Sequence, residues 1–113
     1  SDDKPIWRQI YELIAQRILS GEWQELERIV SVRDLASEVG VNPNTVMRSY
    51  ERLEADGIIY NRRGVGFFVS EGARDHIKQL ERKKFMDEEL PKLRERLALI
   101  GLSIEVRVQI GDE

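Results

Sequence analysis

The sequence predicts a mainly α fold with one small β-hairpin, arranged as a winged helix-turn-helix domain with a C-terminal helical arm. Three observations carry that prediction. Apolar residues recur at spacings of three and four over three separate stretches ahead of residue 56. Two of these stretches are parted only by Gly40-Val41-Asn42, the length and chemistry of a tight turn between helices. Directly behind them, two β-rich triplets flank a basic, glycine-containing loop. The domain is expected over residues 1–70 and the arm over residues 71–113.

The bulk properties are permissive. A chain of 113 residues suits one small domain with an appended arm, and 41% hydrophobic residues allow a modest core. No apolar run approaches the roughly 18 residues that cross a bilayer. The polar start, SDDKPIWRQ, has no secretory pattern, so a cytoplasmic protein without a membrane partner is expected. Cysteine is absent, which excludes disulfides and thiolate metal sites. Net charge is −3, with 9 Lys/Arg against 11 Asp/Glu up to Ser70 and 9 against 10 beyond it. Neither part is basic, so any phosphate-binding surface must be local.

The first helix is predicted from Asp3 as a cap, Pro5 inside the first turn, and Ile6, Ile10, Leu13, Ile14 and Ile18 at helical spacing. Gly21 ends it. Ser31-Val32-Arg33-Asp34 resembles a capping box, with Asp in place of the usual Glu, and opens a short helix that Gly40 stops. The third helix, 42–56, starts on Asn42 as cap with Pro43 at its first position. The spacing fits a helix-turn-helix and an ordinary αα-corner equally well.

The helical wheel separates the faces of that third helix. Val46, Tyr50 and Leu53 face the core. Asn44, Arg48 and Arg52 lie opposite, with Thr45 on the flank. A polar face is normal for any surface helix. Here, however, the first two turns expose only short hydrogen-bonding groups and an Arg, with no acid before Glu51. Those types suit a major groove: Arg pairs bidentately with guanine, Asn with adenine, and Thr meets phosphate or a thymine methyl.

Ile58-Ile59-Tyr60 and Phe67-Phe68-Val69 then read as a hairpin around Asn61-Arg62-Arg63-Gly64-Val65-Gly66. Gly64-Val65-Gly66 is not a dinucleotide fingerprint, because a third glycine and a following helix are missing. Arg62 and Arg63 form a local cationic cluster, with no acid between Asp56 and Glu71. A solvated turn is the plainer reading. Behind a helix-turn-helix, the hairpin reads better as a wing over 61–66.

Three blocks, PIWRQIYELIAQRILSGEW, SVRDLASEVGVNPNTVMRSYERLEADGII and RRGVGFFV, resemble the winged helix-turn-helix domain of GntR-type bacterial transcription regulators. NPNTV followed by RSY..LE is most similar to the small YtrA-like branch. The resemblance covers about Pro5 to Val69 and implies binding of double-stranded operator DNA by a dimer, usually with repression of neighbouring genes. It also implies that Arg33 grips phosphate or a base, that Asn42, Asn44, Thr45 and Arg48 read bases, and that Arg63 and Gly64 form the wing tip at the minor groove. The chain departs from the family at three places. Met47 stands where many relatives carry Arg. Gln24-Glu25-Leu26-Glu27 replaces a usual Pro-Gly, which predicts a different loop. Phe67 replaces a Thr of the wing and removes one potential phosphate contact.

The 43 residues after Ser70 are too few for a separate ligand domain. Met86, Leu90, Leu93, Leu97 and Ile100 make an apolar seam at alternating spacings of four and three, expected as a homodimer contact. A seam folded back on its own domain is the competing reading. Pro91 requires either a helix starting near Asp87 or a kink. Ile104, Val106, Val108 and Ile110 alternate like a strand, whereas the resemblance implies a final helix; the helix is preferred.

The function expected is therefore a DNA-binding transcription regulator, acting as a repressor on an inverted-repeat operator. The alternative is a winged-helix protein-interaction module, which the acidic balance favours. No enzyme is expected. His76, the single histidine, has no nucleophile beside it and reads as a solvated residue, and adjacent Asp87, Glu88 and Glu89 do not converge on one metal. No cofactor, metal or effector is assigned.

Overall fold

The computed structural model describes residues 4–109. Helix α1 spans Ile6–Leu19, α2 Val32–Val39 and α3 Pro43–Ala55; strands β1 Ile59–Arg62 and β2 Gly66–Val69 follow. Helix α4 spans Ala73–Lys84, a five-residue π-turn Phe85–Glu89, and helix α5 Leu90–Leu99. None of the described helices is long and apolar enough to cross a membrane.

The expected capping of α1 by Asp3 lies outside the described residues. Pro5 is not inside the first turn but at the cap position, where its carbonyl accepts from the N–H groups of Arg8 and Gln9. For α2 the local signals suffice: Ser31 Oγ accepts from the Asp34 N–H at 3.1 Å. Gly40 closes that helix at φ 70°, a conformation costly for any residue with a Cβ. Asn42 Oδ1 accepts from the Asn44 N–H at 2.7 Å, and Pro43 opens α3 without losing a bond. The sharp punctuation is what allows α3 to leave α2 at once.

Ile10, Ile14 and Ile18 of α1, Leu35 and Ala36 of α2, and Val46, Tyr50 and Leu53 of α3 meet in one core. Ile6, expected in the same series, remains half exposed. Tyr50 is fully enclosed, and its hydroxyl donates to the Val30 carbonyl at 2.6 Å. Buried Ser49 donates from Oγ to the Trp7 carbonyl at 2.6 Å, tying α3 to the start of α1.

The hairpin pairs antiparallel from Ile59↔Val69 to Arg62↔Gly66, so the strands run closer to the tip than the apolar triplets alone indicate. The chain at 26–29 lines the other edge of β2. Leu26 N–H donates to Val69 O, Val69 N–H to Glu27 O, and Ile29 N–H to Phe67 O. Leu26 holds φ 70° in this loop. Glu25 then caps α4, accepting from the N–H groups of Gly72 at 2.8 Å and Arg74 at 3.3 Å. His76 is exposed but not free: its Nε2 meets the Asp56 carbonyl at 2.8 Å.

The chain divides into two compact units, one ending at Gln79 and one starting at Leu80. The first extends past Ser70 because Ala73 and Ile77 of α4 complete its core. In the second, Pro91 occupies the first turn of α5. It has no N–H for the carbonyl four residues back, and the wide π-turn just ahead accommodates that loss. Leu90 is buried and Leu97 half-buried, whereas Met86, Leu93 and Ile100 are exposed. The expected final helix is not formed: residues 102–109 carry neither helix nor strand. The Leu102 N–H closes α5 on the Leu97 carbonyl, and β-branched Ile104, Val106 and Val108 then disfavour a new helix. Ile110 lies outside the described residues.

Candidate nucleic-acid interface

The front of α3 gathers three of the expected reading residues. Asn44, Thr45 and Arg48 line one cleft together with Ile6 and Trp7 of α1. Asn44 and Arg48 are exposed and Thr45 half-buried. Asn42 stands just ahead, but its Oδ1 is committed to the cap, so it offers outward only its amide NH2. Arg33, in the first turn of α2, lines a separate shallow groove with Ala36, Gly40 and Pro43.

Trp7 anchors the basic side of α3. The guanidinium carbon of Arg48 lies 5.3 Å from its ring centre, that of Arg52 6.0 Å and that of Arg8 5.8 Å. Arg52 also approaches Asp56 at 3.4 Å, so part of its charge is spent within α3. Asp56 accepts from the Tyr11 hydroxyl at 2.6 Å. Burial first, and then that bond, hold the Tyr11 phenol well above its ordinary pKa. Arg48, by contrast, has no carboxylate within salt-bridge distance among the described residues. Its charge is available to an outside partner.

At the wing, the Val65 N–H donates to the Arg62 carbonyl at 2.8 Å and forms a tight turn that leaves Arg63 and Gly64 exposed. Arg62 rests over the Phe68 ring at 5.3 Å. Phe67, where the family has Thr, turns inward and meets Tyr50 edge-on at 5.1 Å. Its ring thereby adds to the core packing.

Two residues of this surface escape sequence reasoning. Trp7 lies outside the apolar series of α1, and only the fold brings three arginines around it. Arg28 sits in the 26–29 segment beside β2, a pairing set by hydrogen bonds to residues some forty positions away. Among the described residues no cluster of three His, Cys, Asp or Glu could hold a metal ion.

Residues 7–69 match the family described as bacterial regulatory proteins, gntR family. The chain belongs to the GntR family. Its members are transcriptional regulators with a DNA-binding domain, not enzymes. Among relatives, the HTH-type transcriptional repressor YtrA of Bacillus subtilis is 40% identical over 70 residues, covering 62% of this chain and 54% of YtrA. The similarity to the YtrA-like branch therefore holds. This chain spans little more than half the length of the curated relatives YhcF and YtrA that it matches.

Among solved structures, a GntR-family regulator from Bacteroides thetaiotaomicron is 44% identical, with a TM-score of 0.75 over 88% of this chain and 86% of that one. The AraR DNA-binding domain, solved with an operator, is 27% identical, with a TM-score of 0.57 over 59% of this chain and 81% of AraR's. The GntR winged-helix fold expected from the sequence is thus the fold of these neighbours.

Proposed function

We propose that this chain is a sequence-specific repressor that binds an inverted-repeat operator in double-stranded DNA as a homodimer. The front of α3 carries the reading: Asn44, Thr45 and Arg48 share one cleft on its first exposed turns, with no acid before Glu51. Helix 42–56 enters the major groove, where Arg48 pairs with guanine and Asn44 with adenine, while Thr45 meets phosphate or a thymine methyl. Asn42 and Arg52 flank them, and Arg33 grips the backbone from α2. Arg62, Arg63 and Gly64 of the wing, 61–66, sit at the minor groove.

The arm supplies the dimer. Met86, Leu93 and Ile100 are exposed and Leu97 half-buried along the arm, and the same seam of a second copy covers them isologously, while Leu90 is already buried within the protomer. Two domains related by a two-fold then read half-sites about 34 Å apart. The protein acts in the cytoplasm, with no cofactor and no membrane partner.

Selection of bound duplexes from a random pool tests the proposal, with affinity then followed against salt. An enriched inverted repeat, bound less tightly as salt rises, is the predicted result. Absence of any enriched sequence at low salt would instead favour a winged-helix protein-interaction module, for which the net charge of −3 is the supporting observation.

A further inference from the structure

One face of the wing carries a cationic pair of which only half enters the interface above. In an antiparallel ladder, directly opposed residues point to the same side. Tyr60 opposes Phe68, Arg62 opposes Gly66, and Arg28 bridges Phe68 from the other edge of β2. These five positions therefore share one face. The alternate positions Ile59, Phe67 and Val69 turn to the core.

The shared face is held together over Phe68. Tyr60 stacks on its ring at 5.6 Å and the Arg62 guanidinium carbon stands at 5.3 Å. Gly66 then leaves a notch beside it. A Cβ at Gly66 would come within 3.0 Å of Arg28 Nε and 3.5 Å of its Nη2, so the Arg28 side chain lies across the glycine. Two guanidinium groups thus reach β2 from the chains on either side of it. Neither has a carboxylate within salt-bridge distance among the described residues. The Arg62 fork rests on the Phe68 ring and the exposed Arg28 fork lies across Gly66, so both keep N–H donors for an outside anion, and phosphate fits that geometry.

We propose that Arg28, together with Arg62, forms a phosphate clamp on the outer face of the wing that grips the DNA backbone beside the groove entered by the wing tip. The clamp rests on the DNA-binding function proposed above. Its place along the strands, behind the Arg63-Gly64 tip, suits the backbone rather than base edges. Such a contact adds affinity without sequence preference.

The test measures affinity of the full chain for the selected duplex and for a random duplex between about 50 and 200 mM salt, with Arg28→Gln and Arg28→Lys alongside. Arg28→Gln is expected to weaken binding of both duplexes by the same factor, and to make the slope of log affinity against log salt shallower by about 0.9. Arg28→Lys is expected to keep the slope, because it keeps the charge. An unchanged slope in Arg28→Gln overturns the clamp, and so does a loss confined to the selected duplex. Equal losses in Arg28→Lys and Arg28→Gln, with lowered melting temperatures, would make Arg28 a packing residue over Gly66 and also overturn it. If the unsubstituted chain binds neither duplex, the DNA-binding function fails and the clamp with it; an unchanged Arg28→Gln slope in a chain that binds removes the clamp alone.

Discussion

The guanidinium carbon of Arg48 lies 5.3 Å from the ring centre of Trp7. A cation over an indole face gains about 0.5–1 kcal/mol at an exposed site, and it restricts a side chain that would otherwise sample many rotamers. Ser49 donates to the Trp7 carbonyl and so ties the start of α1, which carries the platform, to α3, which carries Arg48. Trp7→Leu is therefore expected to weaken binding of the selected duplex by about 0.5–1 kcal/mol, and Trp7→Phe by less. Titration of a labelled duplex measures both. Equal affinities in all three chains would show that Arg48 needs no platform.

Leu26 holds φ 70° while 58% exposed, so it bears the cost of a left-handed conformation without burying much surface. That cost is about 1 kcal/mol or more for a residue with a Cβ, partly offset by the extra freedom a glycine has when unfolded. Leu26→Gly keeps the N–H bond to the Val69 carbonyl and is expected to stabilise the chain by about 0.5–1 kcal/mol in urea unfolding. Lower stability of that variant would contradict the strain assigned to the loop.

Tyr50→Phe removes a 2.6 Å hydrogen bond and leaves the Val30 carbonyl without that donor. The expected cost is about 1–2 kcal/mol. Burial also raises the pKa of the Tyr50 phenol. The folded chain therefore keeps this proton where the unfolded chain, with a tyrosine pKa near 10, loses it. Stability from this group is complete below pH about 10 and falls as pH rises above it. Urea melts at pH 8 and pH 11 should show a smaller alkaline loss in Tyr50→Phe than in the unsubstituted chain.

Leu93 and Ile100 are 37% and 70% exposed on the arm seam. Glutamate at both positions places charges where a second copy is expected to pack, and is predicted to yield a monomer by analytical ultracentrifugation. The melting of the wing domain should be unaffected, since its core is complete by Ile77. A dimer of unchanged stability would move the interface elsewhere.

How much was legible depended on how locally each feature is encoded. Ser31, Gly40, Asn42 and Pro43 act within a few residues, and α2 and α3 form where those residues place them. The wing was legible as two apolar triplets, but not the pairing of Arg62 with Gly66, which the turn geometry adds. Contacts distant in sequence left no such mark. Glu25 caps a helix 47 positions away, and Trp7 meets Arg48 only once α1 crosses α3. At the C-terminal end the alternation of Ile104, Val106 and Val108 read as a strand and the resemblance implied a helix, and residues 102–109 form neither.

The most direct test of the central claim compares the unsubstituted chain with Arg48→Ala on every single-base-pair variant of the selected duplex. If the front of α3 reads the major groove, Arg48→Ala loses about 1–3 kcal/mol of discrimination at one base pair in each half-site and keeps the rest of the profile. A profile identical to that of the unsubstituted chain would contradict the assignment and take Arg48 off the reading surface.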